Sequence, residues 1–192
     1  FILDRSASML ATDKITIAAG RKRERTRVRD DKEIAARKEK RRRITRARNE
    51  LIQVIKALPE GMNFNILTYS SSVEEWQTRP VEASPDNKKK AARFVKKVEA
   101  DGVTVTDWAI SRAFSNLTID TIYLITDGAP SHIGGQKGKQ LPSDSEKIIK
   151  QILKDVPIYN YLRGVRILTL GFPEAEEKFL KKLAKRNSGT YT

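Results

Sequence analysis

The sequence predicts an α/β fold: a doubly wound, mainly parallel sheet flanked by helices on both faces, Rossmann-like in layout. Short apolar runs of strand length alternate with segments whose apolar residues recur at helical spacing. The central runs are apolar nearly throughout, as strands covered on both faces are. Polar residues cluster where these runs end, which is where open parallel sheets bind ligands. With 192 residues and 39% apolar content there is enough material for one core, so residues 1–192 are read as a single domain with a basic insertion at about 12–43.

The first strand is Phe1-Ile2-Leu3, followed by a mixed stretch from Leu10 to Gly20 in which Ile15-Thr16-Ile17 is a possible short strand. From Ile44 the residues Ile44, Ala47, Leu51, Val54, Ile55 and Leu58 form one helical face that ends before Pro59. An upstream extension through Ala35 and Ala36 has too little apolar surface to belong to a core. Asn63 to Ser70 reads as one strand and Ser72 to Gln77 as a short edge strand, with Trp76 assigned to packing. Ser84-Pro85 has helix-start chemistry, a serine cap before a proline in the first turn, and leads to a helix through Phe94, Val95 and Val98. A helix from about Asp107 to Phe114, capped by Thr106, precedes the buried strand Thr121 to Thr126. Gly134 to Gly138 reads as loop. Ser143-Asp144-Ser145-Glu146 is a capping-box pattern before Ile148, Ile149, Ile152 and Leu153. Val165 to Gly171 is a strand, and Glu174 to Lys185 a helix using Phe179, Leu180 and Leu183.

Asp4-Arg5-Ser6-Ala7-Ser8 stands directly behind the first strand. Its alternation aims one carboxylate and two hydroxyls toward one point, and oxygen donors alone suit magnesium, manganese or calcium rather than zinc or copper. Such an ion needs more oxygens from distant loops. Thr104 follows the turn marked by Gly102, and Asp127 ends a strand ahead of Gly128, which permits a sharp turn. All three segments are expected at strand-to-helix junctions, so Asp4, Ser6, Ser8, Thr104 and Asp127 are the candidate metal residues.

With those residues in that order, the sequence resembles the von Willebrand factor type A family. Its metal-ion-dependent adhesion site is an Asp-x-Ser-x-Ser, then a loop threonine, then an aspartate in a Thr-Asp-Gly context. Val165 to Gly171 and the ending Leu183 to Tyr191 also look like late family segments, so the resemblance covers essentially the whole chain. It implies that Ser6 and Ser8 ligate directly, that Thr104 joins when a ligand is engaged, and that Asp4 and Asp127 act largely through water or switch between direct and water-mediated contact. Neutral hydroxyls leave the ion electrophilic enough to accept an outside carboxylate. The expected cofactor is therefore Mg²⁺ or Mn²⁺ ahead of Ca²⁺. The expected function is divalent-dependent protein binding or cell adhesion, the partner presenting Asp or Glu, and no enzyme activity is expected. The chain departs from the pattern at Ala7, where glycine is common, and in the basic insertion behind the motif.

Two other function classes are weighed against this. Between Arg21 and Arg48 there are fifteen Lys or Arg against five Asp or Glu, a net +10 out of the chain's +14. That segment, 21–48, is a candidate for sequence-independent nucleic-acid or ribonucleoprotein binding, or for docking an acidic protein. It contains no aromatic residue for base stacking. A strand-end aspartate beside magnesium also occurs in haloacid-dehalogenase-like phosphatases, but Ser6 stands where their second carboxylate belongs. Gly134 to Gln140 has one residue too few, and no hydroxyl after its lysine, for a phosphate loop. His132, the one histidine, is read as a surface loop residue. There are no cysteines, which excludes disulfides and zinc-thiolate sites, and no stretch has the length of a membrane span. The chain opens inside a strand without methionine, so a preceding segment is expected. Composition leaves the compartment open.

Overall fold

The computed structural model describes residues 1–12, 35, 38–39, 42–132, 142–172 and 175–192. The possible strand at 15–17, most of the basic insertion and the 134–138 loop lie outside the described residues.

Five strands form the main sheet in the order β4-β3-β1-β6-β7. They are β1 (Ile2–Asp4), β3 (Leu67–Tyr69), β4 (Val73–Glu75), β6 (Thr121–Thr126) and β7 (Arg166–Gly171). β1 lies parallel to both β3 and β6, β6 is parallel to β7, and only the edge strand β4 runs antiparallel. Among the described residues the sheet is covered by α1 (Arg43–Ala57), α2 (Pro85–Lys96), α3 (Thr106–Phe114), α4 (Pro142–Asn160) and α5 (Glu177–Arg186). Alternation along β1 divides the core. Ile2 packs with Ile110, Phe114, Ile152 and Leu180 on one face, while Leu3 packs with Ile44, Leu51, Ile55 and Val95 on the other. On the predicted face of α1, Ile44, Ala47, Leu51 and Ile55 are buried but Val54 is exposed, and the predicted Phe179, Leu180 and Leu183 of α5 are all buried; each fully buried Leu or Phe there contributes about 1.5–3 kcal/mol. Because β3 lies on one side of β1 and β6 on the other, the strand order reverses at β1, the place where open α/β sheets form a ligand crevice. No helix among the described residues is long and apolar enough to cross a membrane.

The predicted strand at 63–70 is in fact two. β2 (Asn63–Phe64) pairs antiparallel with β5 (Val81–Glu82) in a separate ladder, and β3 begins at Leu67. Asn65 causes the break. Its Oδ1 accepts from the backbone N–H groups of Ile66 and Gln77 at 2.8 and 3.2 Å, and its Nδ2 donates to the Gln77 carbonyl at 2.6 Å. One side chain thus takes the place of ladder bonds while the chain steps between sheets. Trp76 packs as expected, stacked 5.3 Å from Phe64.

Three helix starts test the cap predictions. Ser84 does cap α2, its Oγ accepting from the Asn87 N–H at 3.3 Å. Thr106 does not cap α3: it is the first helical residue, and its Oγ1 donates to the buried Tyr69 hydroxyl at 3.3 Å. The hydroxyl thus serves the buried phenol, a polar group that needs a partner away from water. α4 starts at Pro142, one residue ahead of the expected cap Ser143, as suits a proline preset for the first helical position. α4 also runs through Pro157, which cannot donate back to Leu153. Arg186 at the end of α5 supplies the missing donor, its Nη1 reaching the Leu153 carbonyl at 2.5 Å. The last helix begins at Glu177 rather than Glu174, which lies outside the described residues.

Candidate metal centre

Backbone bonds stitch three loops together at the carboxyl ends of β1 and β6. Behind β1, the Arg5 N–H donates to the Tyr69 carbonyl at 2.8 Å, and the Ala7 N–H donates to the Gly102 carbonyl at 3.0 Å. The Asp101 N–H returns a bond to the Arg5 carbonyl at 2.7 Å. The Thr104 loop is pinned from the other side, with the Ser131 N–H donating to the Thr104 carbonyl at 2.8 Å and the Thr104 N–H donating to Ser131 Oγ at 3.1 Å. Gly102 makes the close approach possible. Its φ of +75° is left-handed, and a Cβ there would stand 2.3 Å from Ser71 Oγ. Thr104 lies between two helices, α2 and α3, rather than at a strand-to-helix junction as expected.

The side chains converge along this seam. Asp4 Oδ1 accepts from the Ser6 N–H at 2.8 Å, and Asp4 Oδ2 accepts from Thr126 Oγ1 at 2.5 Å, which joins the ends of β1 and β6. Ser6 Oγ and Ser8 Oγ are 3.0 Å apart, and Ser8 Oγ donates to Asp127 Oδ1 at 2.8 Å. Asp4, Ser6, Thr104 and Asp127 are buried, while Ser8 is open to solvent. The structure therefore links Asp4, Ser6, Ser8 and Asp127 and sets the buried Thr104 on the adjoining loop. Ala7, in place of the common glycine, is exposed and begins a single 3₁₀ turn over Ala7–Leu10.

Burial pushes the Asp4 carboxyl up to about 6; hydrogen bonds from Thr126 and Ser6 oppose that rise, and the nearby Asp127 charge adds to it. Beneath it, the Tyr69 phenol is held well above its ordinary value by burial and by the Asp4 carboxylate. Both shifts describe a place closed off from water. The donors fit a hard divalent ion in kind, being hydroxyl and carboxylate oxygens only. Among the described residues no three His, Cys, Asp or Glu stand together, so an ion here would meet more hydroxyl than carboxylate.

Several residues of this neighbourhood escaped the sequence reading. Thr126 was visible only as strand. Arg43 places Nη1 2.9 Å from Asp127 Oδ2, with both side chains almost fully buried. The turn that carries it is fixed by its N–H bond to the Ala11 carbonyl at 3.0 Å and by the bridge between Thr12 and Arg42. His132 is more than a surface loop residue: its Nε2 lies 2.8 Å from Asp107 Oδ1 and its ring meets Trp108 edge-on at 5.1 Å. It thereby ties the loop after Asp127 to the first turn of α3. Other cations of the 21–48 segment also serve the fold. Arg46 lies over the Phe172 ring at 5.5 Å, and Arg48 donates to the Val98 carbonyl at 3.0 Å. A hollow of about 390 Å³ between α1 and α2, lined by Lys56, Pro85, Lys88, Lys89, Ala92 and Arg93, shares no residue with this cluster.

Residues 35–192 match the family described as von Willebrand factor type A domain, a match that includes Thr104 and Asp127 and begins downstream of Asp4 to Ser8. The chain is 27% identical over 132 residues to human von Willebrand factor A domain-containing protein 3A, covering 67% of this chain and 10% of that protein. It is 24% identical over 161 residues to human inter-alpha-trypsin inhibitor heavy chain H3, covering 77% of this chain and 17% of that one. The chain thus spans less than a fifth of the length of either relative. In fold it is similar to the PilB minor pilin from Streptococcus sanguinis, with a TM-score of 0.64 at 16% identity over 99% of this chain and 54% of that one. A von Willebrand factor type A protein from Catenulispora acidiphila gives 0.62 at 16% identity, over 99% and 36% respectively. By the span of the family match, this chain belongs to the von Willebrand factor type A domain family.

Proposed function

We propose that the chain is a protein-interaction module that binds a divalent cation, magnesium or manganese, through Ser6, Ser8, Thr104, Asp4 and Asp127, and uses it to capture an Asp or Glu of a partner protein. The observation that carries this reading is the hydrogen-bonded chain from Asp4 through the Ser6 N–H, and from the Ser6 hydroxyl through the solvent-facing Ser8 to Asp127, drawn from two strand ends at the switch point of the sheet. Family membership supports the interaction role. The ion would supply electrophilic attraction for an outside carboxylate. The protein supplies the rest: buried Asp4 orients the Ser6 backbone, Thr126 locks Asp4 to the neighbouring strand, and the Gly102 turn brings Thr104 alongside.

Mg²⁺ or Mn²⁺ added to chelator-treated protein is expected to raise the melting temperature, since an ion at a hundred times its Kd stabilises by about 2.7 kcal/mol. Asp4→Ala should abolish the rise. An unchanged melting temperature in both proteins would sink the metal part of the reading. Capture of an acidic partner that survives EDTA would sink the rest.

A further inference from the structure

Arg43 is oddly placed for a residue that serves only the helix it begins. It is the first residue of α1, whose first turn has no acidic residue, and a cation there opposes the positive end of the helix dipole. Its guanidinium instead turns inward, to Asp127 Oδ2 at 2.9 Å, while Asp127 Oδ1 accepts from Ser8 at 2.8 Å. One carboxylate is therefore shared between a fixed positive charge and the hydroxyl chain. A buried ion pair is a poor route to stability compared with apolar packing, so stability alone is a weak reason for it.

We propose that Arg43 is an internal counter-cation competing with the divalent ion for Asp127. The proposal rests on the metal reading above and adds a control to it. With the guanidinium in place, Asp127 is already neutralised and a dication bound at Ser6 and Ser8 faces a like charge one carboxylate away. Full occupancy then requires the guanidinium to loosen its hold on Asp127. Without the positive charge, Asp127 is a buried carboxylate lacking this counter-ion, and a divalent ion is drawn more strongly. By linkage, the ion must weaken the Arg43–Asp127 pair as much as the pair weakens the ion.

The test is Mn²⁺ binding to the chelator-treated chain, read from the resonance signal of free Mn²⁺, for wild type, Arg43→Gln and Arg43→Lys. Arg43→Gln, which can still donate a hydrogen bond, is expected to bind about tenfold tighter, within the usual span of coupling between sites. Arg43→Lys, which keeps the charge, should stay near wild type. Equal or weaker binding by Arg43→Gln beside a wild type that binds would overturn the competition and leave the metal reading standing. Absence of binding by every protein would overturn both. Should Arg43→Gln not fold, the wild type decides: at saturating Mg²⁺ the nuclear resonance of the Arg43 guanidinium N–H groups should move toward solvent-like values. An unmoved signal at full occupancy contradicts the proposal.

Discussion

At the scale of single residues, Asp4 concentrates the chemistry. An ordinary aspartate titrates near 3.8, and burial pushes this one up to about 6. Between those values the folded, metal-free protein keeps a proton that the unfolded chain has released. Stability from this group therefore falls as pH rises through about 4 to 6, by on the order of 3 kcal/mol in total. Urea unfolding in EDTA should show wild type losing ground to Asp4→Asn over that window; a pH-independent difference would mean the carboxyl is not held in this way. Arg43 makes the opposite contribution. Arg43→Ala leaves Asp127 buried without its guanidinium and is expected to lose about 3–5 kcal/mol in metal-free unfolding, part of it recovered with Mg²⁺. The candidate donors Asp4, Ser6 and Ser8 were legible because their chemistry lies within five consecutive residues. Arg43 and Ser131 were not. Arg43 is one of fifteen cations in its segment and meets Asp127 across 84 residues, which no local pattern encodes.

At the scale of elements, two glycines divide the work of closing the molecule. Gly102 lets the Thr104 loop pass close to Ser71 while its carbonyl accepts from Ala7 of the β1 loop, and Gly102→Ala is expected to cost about 1–2 kcal/mol for its left-handed backbone. Gly189 carries the terminal segment against β7, where the Ile167 N–H donates to the Asn187 carbonyl at 3.1 Å and the Thr169 N–H to the Thr190 carbonyl at 2.9 Å. A Cβ at Gly189 would stand 1.8 Å from the Ile167 carbonyl oxygen, a backbone atom that cannot swing aside as Ser71 can. Gly189→Ala should therefore be the more damaging of the two in thermal unfolding, and it should leave Mn²⁺ affinity of the remaining folded protein unchanged. Gly102→Ala should weaken that affinity. Element types were readable from apolar periodicity, but boundaries failed where a side chain replaced a backbone bond. Asn65 broke a strand whose hydrophobic pattern runs on without interruption. Pro157 sits inside a helix because Arg186, from another helix, serves the carbonyl it strands.

Over the whole molecule, a reversal of strand order at β1 puts the ends of β1 and β6 side by side and leaves the loops beyond them to meet. The doubly wound sheet was legible because alternating strand and helix patterns allow few other arrangements. The charge of the chain was visible too, but its use was not: Arg43, Arg46 and Arg48 turn to Asp127, Phe172 and the Val98 carbonyl. Added salt should accordingly weaken attraction to acidic partners while sparing the buried Arg43–Asp127 pair, whose unfolding contribution ought to change little between low and physiological ionic strength. The central claim is that hydroxyl oxygens from the β1 loop hold a divalent ion. Its most direct test is calorimetric titration of Mg²⁺ into the chelator-treated chain, alongside the Ser6→Ala/Ser8→Ala double variant checked for intact folding by circular dichroism. One site in the wild type and none in the variant is the predicted result. Equal binding by the two proteins, or binding by neither, contradicts it.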